Sequence, residues 1–167
     1  MIEPTKPKTF EKAVSGPFEQ HWKQAIQEEL DAYQANASWE IVKYPGDVKL
    51  LNVVWVFKIK RESSNKITSF KARLCTRGCN QREDIDYHFT YTPVVRYDSL
   101  RILFVLTAEL NLELMQFDVK TFLYGDLEEV IYVKIPKDLN VPDKKNNVCL
   151  LKKAVYGLKQ ASRICIK

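Results

Sequence analysis

One carboxylate in the sequence lies where a charge is costly. Asp118 falls between Phe117 and Val119 in the stretch QFDVKTFLYGDLEEVIYV, residues 116–133, which otherwise predicts a buried β-strand. Removing a charge from water is unfavourable unless the charge is paired or holds a metal. A hard divalent cation prefers oxygen ligands, and a strand holds such a ligand rigidly. Asp118 is therefore a candidate metal ligand, with a cap or a salt-bridge partner as the alternatives.

A second feature with chemical potential is the charge pattern between Lys58 and Arg82. The whole chain carries a net charge of +5, whereas this segment combines a single acid, Glu62, with eight basic residues: Lys58, Lys60, Arg61, Lys66, Lys71, Arg73, Arg77 and Arg82. Guanidinium groups suit bidentate phosphate contacts. Trp55 and Phe57 alternate with the first two lysines and could stack a nucleic-acid base. The alternatives are a solvated strand face for the cations and the core for the aromatic rings.

The bulk composition predicts one folded domain. A chain of 167 residues with 46% hydrophobic residues is long enough to bury a core. Its four cysteines, Cys75, Cys79, Cys149 and Cys165, lack a second Cys or His pair at zinc-ligand spacing, which favours structural thiols in a reduced, intracellular chain. Because no apolar stretch approaches the ~18 residues of a membrane span, we expect no membrane-spanning segment.

The elements that must position these groups can be read from periodicity and turn signals. Residues 1–14 predict a flexible lead-in. A helix capped by Ser15, with Pro17 in its first turn, should follow, because Phe18, Trp22, Ile26, Leu30 and Tyr33 share one helical face. The stretch WEIVKY alternates as a short strand, and PGD ends it.

A β-hairpin is predicted next, and it carries the cations. The runs VVWVFKIKR (53–61) and ITSFKARLCTR (67–77) are joined by the polar stretch ESSNK. Further along, Asp98 could cap a helix through SLRILFVLTAEL. The stretch around Asp118, its expected partner strand VIYVKI, the strand VCLL and AVYGLKQASR complete the chain. This order predicts an α+β class with antiparallel pairing, since the hairpin loop is too short for a parallel crossover.

Four stretches resemble, in the same order, the reverse transcriptase of copia-type (Ty1/copia) retrotransposons. They are NVVWVFKIKR, SFKARLCTRGCNQREDIDYHFTYTPVVRYDSLRILFVLTAEL, LELMQFDVKTFLYGDLEEVIYV and LKKAVYGLKQASR. The resemblance covers about residues 20–165. It implies a partial right-hand polymerase fold in residues 15–167. The fingers, with their β-hairpin, would occupy about 38–97, and an incomplete palm of antiparallel strands and flanking helices about 98–167.

The resemblance also implies roles for individual residues. Asp118 would be the catalytic aspartate and a magnesium ligand. The nucleotide would be contacted by Arg61, Lys71, Arg73, Phe122 and Gln160, and nucleic acid by Phe57, Lys58, Lys60 and Arg77. Among the cations, Arg61 and either Lys71 or Arg73 are the first candidates for the triphosphate. The implied partners are an RNA or DNA template-primer, a dNTP and the remaining palm, thumb and RNase H regions of a Pol polyprotein.

Two departures from the family pattern bear on activity. Two-metal phosphoryl transfer needs shared carboxylates around ions ~3.5–4 Å apart, and the family supplies the others from a Tyr-x-Asp-Asp hairpin, whereas the sequence contains no DD pair. We therefore expect a truncated fragment that is inactive alone, with a non-catalytic nucleic-acid-binding remnant as the alternative function. DVKTFLYGD also lacks the family's alanine, so Phe122 lies four residues after Asp118 and nucleotide selection should be impaired.

Overall fold

The computed structural model describes residues 5–92, 94–116 and 125–166. Secondary structure follows the predicted order of helix, hairpin, helix and strands. The helices are α1 (Phe10–Val14), α2 (Glu19–Ala35), α3 (Tyr97–Glu109) and α4 (Ala161–Ile166), with a short 3-10 turn at Gly78–Asn80; the strands are β1 (Trp39–Lys43), β2 (Leu50–Leu51), β3 (Val53–Arg61), β4 (Ile67–Thr76), β5 (Asp126–Val133) and β6 (Asn147–Lys153). The chain is thus of the α+β class.

Strands β3 and β4 form the predicted antiparallel hairpin. Their register runs from Val53 opposite Thr76 to Lys60 opposite Ser69, with a bulge between Lys60 and Arg61. In the connecting turn Asn65 adopts a positive φ of 65°, which asparagine tolerates better than most residues. Polar turn residues between two alternating runs therefore specified this element correctly.

Helix α2 covers one face of the hairpin. Its apolar stripe buries Trp22, Ile26, Leu30 and Tyr33, and the Trp22 ring packs edge-on against Phe57 with 5.1 Å between ring centroids. The helix also satisfies the backbone polar groups of Leu74 in β4. The Tyr33 hydroxyl donates to the Leu74 carbonyl oxygen at 2.7 Å, and the Leu74 N–H donates to the Glu29 carboxylate at 3.1 Å.

The remaining strands form a four-stranded sheet in the order β1-β6-β5-β2. The pairs β1–β6 and β5–β6 are antiparallel, as expected, whereas β2 and β5 are parallel. Strands β1 and β2 come from the segment predicted as fingers, and β5 and β6 from the segment predicted as palm. The two predicted regions therefore share one sheet, and Ile131, Val133, Cys149 and Leu151 join the same apolar core as α2 and the hairpin.

Two local expectations are corrected by the structure, and a helix lies within a third segment. Ser15 does not cap α2: its hydroxyl donates to the Glu11 carbonyl oxygen at the end of α1, and α2 begins after Phe18. Asp98 is not a cap either, because α3 begins at Tyr97 and Asp98 lies in its first turn, where Arg101 contacts it. Within the expected flexible lead-in, residues 10–14 form α1 and bury Ala13 completely.

Within the described ranges, no helix has both the length and the apolar character needed to cross a membrane.

Candidate nucleic-acid and nucleotide interface

Four cations share the hairpin face that points away from α2. In β4 the buried residues Ala72 and Leu74 point toward the helix, so Lys71 and Arg73 point to the opposite side, because side chains alternate along a strand. The register places Lys58 opposite Lys71 and Val56 opposite Arg73. Lys60 lies on the same side of β3 as Lys58. We call the four cations on this side of the hairpin, Lys58, Lys60, Lys71 and Arg73, the basic face.

The basic face brings like charges together without an opposing acid in the same cross-strand position. Lys58 and Lys71 are direct cross-strand partners, an arrangement that is destabilising for like charges. Lys58 and Lys60 are exposed, and Lys71 is half-buried. The Glu29 carboxyl attracts Lys71 and Arg73, and an anionic partner would relieve the repulsion between Lys58 and Lys71 further.

Arg73 lies at the inner end of the basic face and is held by an aromatic ring. Its guanidinium carbon is 5.0 Å from the centroid of the Tyr156 ring. The Nε atom of Arg73 is buried and has no hydrogen-bond partner among the described residues. The cation–π contact thus connects the basic face to the loop that precedes α4.

The other predicted cations do not belong to the basic face. Arg61 follows the bulge, is exposed at the hairpin tip and donates to the Asn65 carbonyl oxygen at 3.1 Å. Arg77 is exposed just beyond β4, where its backbone N–H donates to the Asn52 carbonyl oxygen. Their contacts to nucleotide and nucleic acid stay predictions, and the structure separates them from the four clustered cations.

The structure places Phe57 in the core, which was the alternative to its predicted contact with nucleic acid. Phe57 is 1% exposed and packs in the core against Trp22, because odd-numbered residues of β3 point toward α2. Its ring therefore presents no face to a base. Trp55 is half-buried, and its indole N–H donates to the Asp138 carboxylate at 2.6 Å. Burial raises the pKa of Asp138, although this hydrogen bond opposes the shift.

Gln160 is placed by a close approach between two backbone segments. Gly157 has a φ of 90°, and a Cβ atom there would overlap the carbonyl oxygen of Thr76. A Cβ atom at Gly78 would likewise overlap the Gly157 carbonyl oxygen. The Thr76 N–H donates to the Tyr156 carbonyl oxygen at 2.7 Å. Glycine at both positions thus allows the loop before α4 to dock against the end of β4.

Beyond this contact, Gln160 takes part in a buried amide network. Gln160 is 2% exposed, and Gln81 is 6% exposed. The Gln81 Nε2 atom donates to Gln160 Oε1 at 2.9 Å, and both side chains donate from Nε2 to the Asp86 carbonyl oxygen, at 3.2 Å from Gln81 and 3.0 Å from Gln160. The backbone N–H of Lys159 donates to Gln81 Oε1 at 2.8 Å.

The turn that supplies the Asp86 carbonyl is itself fixed by charge. The carboxylate of Asp86 accepts from the Arg82 backbone N–H at 2.7 Å and pairs with the Arg82 guanidinium at 3.3 Å. Burial raises the pKa of Asp86, but the hydrogen bonds from Arg82 outweigh it and the pKa is lowered. The ionised side chain therefore keeps the turn closed around the amide network.

Gln160 also lines a groove of about 490 Å³ between the loop after Asp86 and strand β5. Its walls combine cationic and aromatic groups with three acids at the start of β5. They are His88, Phe89, Gly125, Asp126, Glu128, Glu129, Gln160, Arg163 and Ile164. The Arg163 guanidinium lies 4.7 Å from the centroid of the Phe89 ring. Because three acids face one arginine, the groove could accept an aromatic ligand whose anionic part lies at Arg163 or is neutralised by a bound cation.

Two predicted site residues, Asp118 and Phe122, lie outside the described residues. Their roles as magnesium ligand and nucleotide contact stay predictions. Within residues 5–92, 94–116 and 125–166 no group of three His, Cys, Asp or Glu side chains could hold a metal ion.

The contributions of Gln81 and Gly157 were not predicted from the sequence. Gln81 lies 79 residues from its partner Gln160, so no local pattern connects the two. The signal for Gly157 was a single glycine between Tyr156 and Leu158, which is compatible with a turn but does not identify the backbone it approaches.

Comparison with known proteins identifies the family. The family model described as "Reverse transcriptase (RNA-dependent DNA polymerase)" matches residues 36–167. The chain belongs to the reverse transcriptase family. No solved structure matches it.

Three relatives of the chain are Pol or Gag-Pol polyproteins of copia-type retrotransposons. The chain is 41% identical over 159 residues to the retrovirus-related Pol polyprotein from transposon TNT 1-94 of Nicotiana tabacum, a match that covers 95% of the chain and 12% of that polyprotein. For transposon RE2 of Arabidopsis thaliana the identity is 35% over 153 residues, with 90% and 10% covered. The Ty1-ER2 Gag-Pol polyprotein of Saccharomyces cerevisiae is 28% identical over 149 residues, with 83% and 8% covered. The chain thus spans about a tenth of these relatives' length.

Proposed function

We propose that the chain supplies the fingers, about residues 38–97, and the first part of the palm, about 98–167, of a right-hand RNA-directed DNA polymerase. In this role the basic face contacts the phosphates of an RNA or DNA template-primer. The dNTP would lie near Arg61, Lys71, Arg73, Phe122 and Gln160. Nucleotidyl transfer is proposed for the intact Pol polyprotein, of which the remaining palm, thumb and RNase H regions are the implied partners.

The observation that carries this proposal is the opposition of Lys58 and Lys71 on one face of the hairpin. Two ammonium groups in directly opposite cross-strand positions repel each other, and a phosphate between them would be attracted to both. Arg73 and Lys60 extend the same face along the hairpin. A duplex that runs across this face would release counterions from its phosphates, which makes binding favourable and dependent on salt.

Magnesium is implied by the family, and Asp118 is the residue proposed to bind it. A carboxylate oxygen suits Mg²⁺, which prefers oxygen ligands. When bound, the ion would neutralise charge that develops on the transferred phosphoryl group. Besides Asp118, the chain would contribute its cations and the oriented amide of Gln160.

We also propose an intracellular location. Cys75, Cys79 and Cys149 are free thiols in the structure, which agrees with a reducing compartment.

The decisive experiment measures the affinity of the chain for an RNA–DNA duplex over a range of salt concentrations. The double variant Lys58→Ala with Lys71→Ala should bind more weakly, and the salt slope should fall by about 0.9 for each phosphate contact that is lost. The double variant Lys43→Ala with Lys145→Ala is the matched control, because it removes the same charge from exposed lysines away from the hairpin. Equal losses in the two double variants would show that net charge, not the basic face, determines binding.

A further inference from the structure

We propose that Gln81 is a positioning residue: it fixes the orientation of the Gln160 carboxamide and so determines which groups Gln160 presents to the groove. This inference rests on the proposed function in one respect, namely that the groove's ligand is a nucleotide. The orientation itself can be tested without any ligand.

The hydrogen-bond network permits one orientation of each amide. Gln81 uses both N–H groups of Nε2, one toward Gln160 Oε1 and one toward the Asp86 carbonyl oxygen, and it accepts from the Lys159 N–H. Exchanging its oxygen and nitrogen would place N–H groups of Gln81 and Lys159 against each other. It would also place an oxygen against two acceptors. A side-chain amide can make all three contacts only in the observed orientation.

Gln160 is constrained in the same way, but through Gln81. Its Nε2 atom donates to the Asp86 carbonyl oxygen, and its Oε1 atom accepts from Gln81. If the Gln160 amide were turned over, its Nε2 atom would face the donor Nε2 of Gln81. Its Oε1 atom would face the Asp86 carbonyl oxygen, which is also an acceptor. Because Gln160 is 2% exposed, water could not compensate for such contacts, and unpaired buried polar groups are costly.

Counting donors and acceptors shows what remains for a ligand. A glutamine side chain has two N–H donors and an oxygen with two lone pairs. The network uses one donor and one lone pair of Gln160, which leaves one of each. Gln160 is one of the residues around the groove, with Phe89 and Arg163, but it is 2% exposed. A ligand would therefore reach that donor and that acceptor only by displacing the atoms that cover them, and Gln81 determines the side on which they lie.

Lys159 anchors the same arrangement from a second direction. Its Nζ atom donates to the Tyr87 hydroxyl at 2.8 Å and lies 4.4 Å from the centroid of the Tyr87 ring. The side chain of Lys159 is therefore held independently of Gln81, although its backbone N–H donates to Gln81. A substitution at position 81 should change the amide orientation more than it changes the loop.

The test compares Gln81→Glu and Gln81→Met by NMR of the Gln160 side-chain amide. The carboxylate introduced by Gln81→Glu still accepts from the Lys159 N–H but donates to neither Gln160 nor Asp86. It should draw the Nε2 atom of Gln160 toward itself, so that NOEs link the Gln160 amide protons to position 81 rather than to Asp86. Gln81→Met keeps the approximate shape but removes every hydrogen bond. In Gln81→Met the protons of the Gln160 side-chain amide should therefore exchange with water about fivefold faster, which corresponds to the loss of one hydrogen bond. Gln34→Glu, at an exposed position in α2, is the control and should change neither signal.

A nucleotide titration then separates the orientation from the proposed ligand. Binding of dTTP with Mg²⁺ should weaken about fivefold in Gln81→Glu, and Gln34→Glu should bind like the unmodified chain. If the unmodified chain binds no nucleotide while the Gln160 signals respond to Gln81→Glu, the orientation holds and the proposed ligand is wrong. If the Gln160 amide signals and NOEs are the same in all variants, Gln81 does not position Gln160 and the inference fails.

Discussion

Helices α2 and α3 differ in how their apolar residues are spaced. In α2 the buried residues recur at Trp22, Ile26, Leu30 and Tyr33 with polar residues between them. In α3 the residues at 102–106, ILFVL, are apolar without interruption and therefore cover every side of the helix. The first pattern defines one stripe, and the second defines none.

The structure shows the consequence of this difference. Trp22 is 3% exposed and Tyr33 is 1% exposed, whereas Ile102 is 61% exposed and Val105 is 67% exposed. Thr107 is the single buried residue described in α3. A stripe specifies one packing surface, and the hairpin supplies it for α2. A helix that is apolar on all sides needs cover from several directions, so its own sequence does not specify its neighbours.

The same substitution in the two helices gives the largest expected contrast. Leu30 in α2 is 7% exposed, and Leu103 in α3 is 50% exposed. Leu30→Ala should lower the free energy of unfolding by about 2–5 kcal/mol, because it removes a packed side chain and leaves a cavity. Leu103→Ala should change it by less than about 0.5 kcal/mol. Urea denaturation measures both, and an equal loss at Leu103 would mean that α3 is packed in solution.

The loop before α4 packs against the end of β4 at Gly157. Substitutions at two glycines test how tightly it packs there. Gly157 and Gly46 both have positive φ, but a Cβ atom would overlap Thr76 at Gly157 and meets open space at Gly46. Gly46→Ala should cost about 1–2 kcal/mol from backbone strain alone. Gly157→Ala should cost a further ~1–3 kcal/mol from overpacking. Equal thermal denaturation midpoints for the two variants would show that the loop before α4 moves away from β4 easily.

A tyrosine in each helix sharpens the comparison at the level of one hydrogen bond. The hydroxyl of Tyr33 donates to the Leu74 carbonyl oxygen in a buried site, and burial raises its pKa well above the usual value. Tyr97, at the start of α3, is 79% exposed. Tyr33→Phe should cost about 1–2 kcal/mol, since the carbonyl is left without its donor. Tyr97→Phe should be nearly neutral, and a comparable loss there in urea titrations would contradict the contrast.

These contrasts show why some of the fold could be read from the sequence. Period-two alternation and the polar stretch ESSNK predicted the bounds of β3 correctly and those of β4 to within one residue. The stripe of α2 predicted its buried face. Both features are local, and each has one partner surface within reach. The basic face followed from the hairpin, because the register decided which cations share a side.

Long-range contacts could not be read in the same way. Strand β2 pairs in parallel with β5. Because β2 is two residues long, it is too short to show periodicity. The Gln81–Gln160 contact joins polar residues whose types predict exposure, yet both are buried. Their burial accompanies the close approach of the backbones at Gly78 and Gly157, which lie far apart in the sequence. Arg61 does not join the basic face, because it follows Lys60 by one residue and side chains alternate along a strand.

The smallest expected effect concerns the half-buried carboxyl of Glu29, on the side of α2 that contacts β4. Burial raises the pKa of Glu29 above 4.5, although the hydrogen bond from the Leu74 N–H and the cations Arg73 and Lys71 oppose the shift. A carboxyl whose pKa is higher in the folded state takes up a proton on folding. Its contribution to the free energy of unfolding therefore falls as the pH rises from 4.5 through the folded pKa.

Replacing this carboxyl by an amide should remove that pH dependence. Glu29→Gln keeps an acceptor for the Leu74 N–H without a charge to desolvate, so it should stabilise the chain at neutral pH by less than about 1 kcal/mol, since solvent screens a half-exposed group. The exposed Glu109 at the end of α3 provides the matched control, Glu109→Gln. Urea denaturation at a series of pH values should give a flatter profile for Glu29→Gln alone. If both variants keep the slope of the unmodified chain, the contact between Glu29 and β4 does not bury charge in solution, and α2 is less firmly seated on the hairpin than its apolar stripe implies.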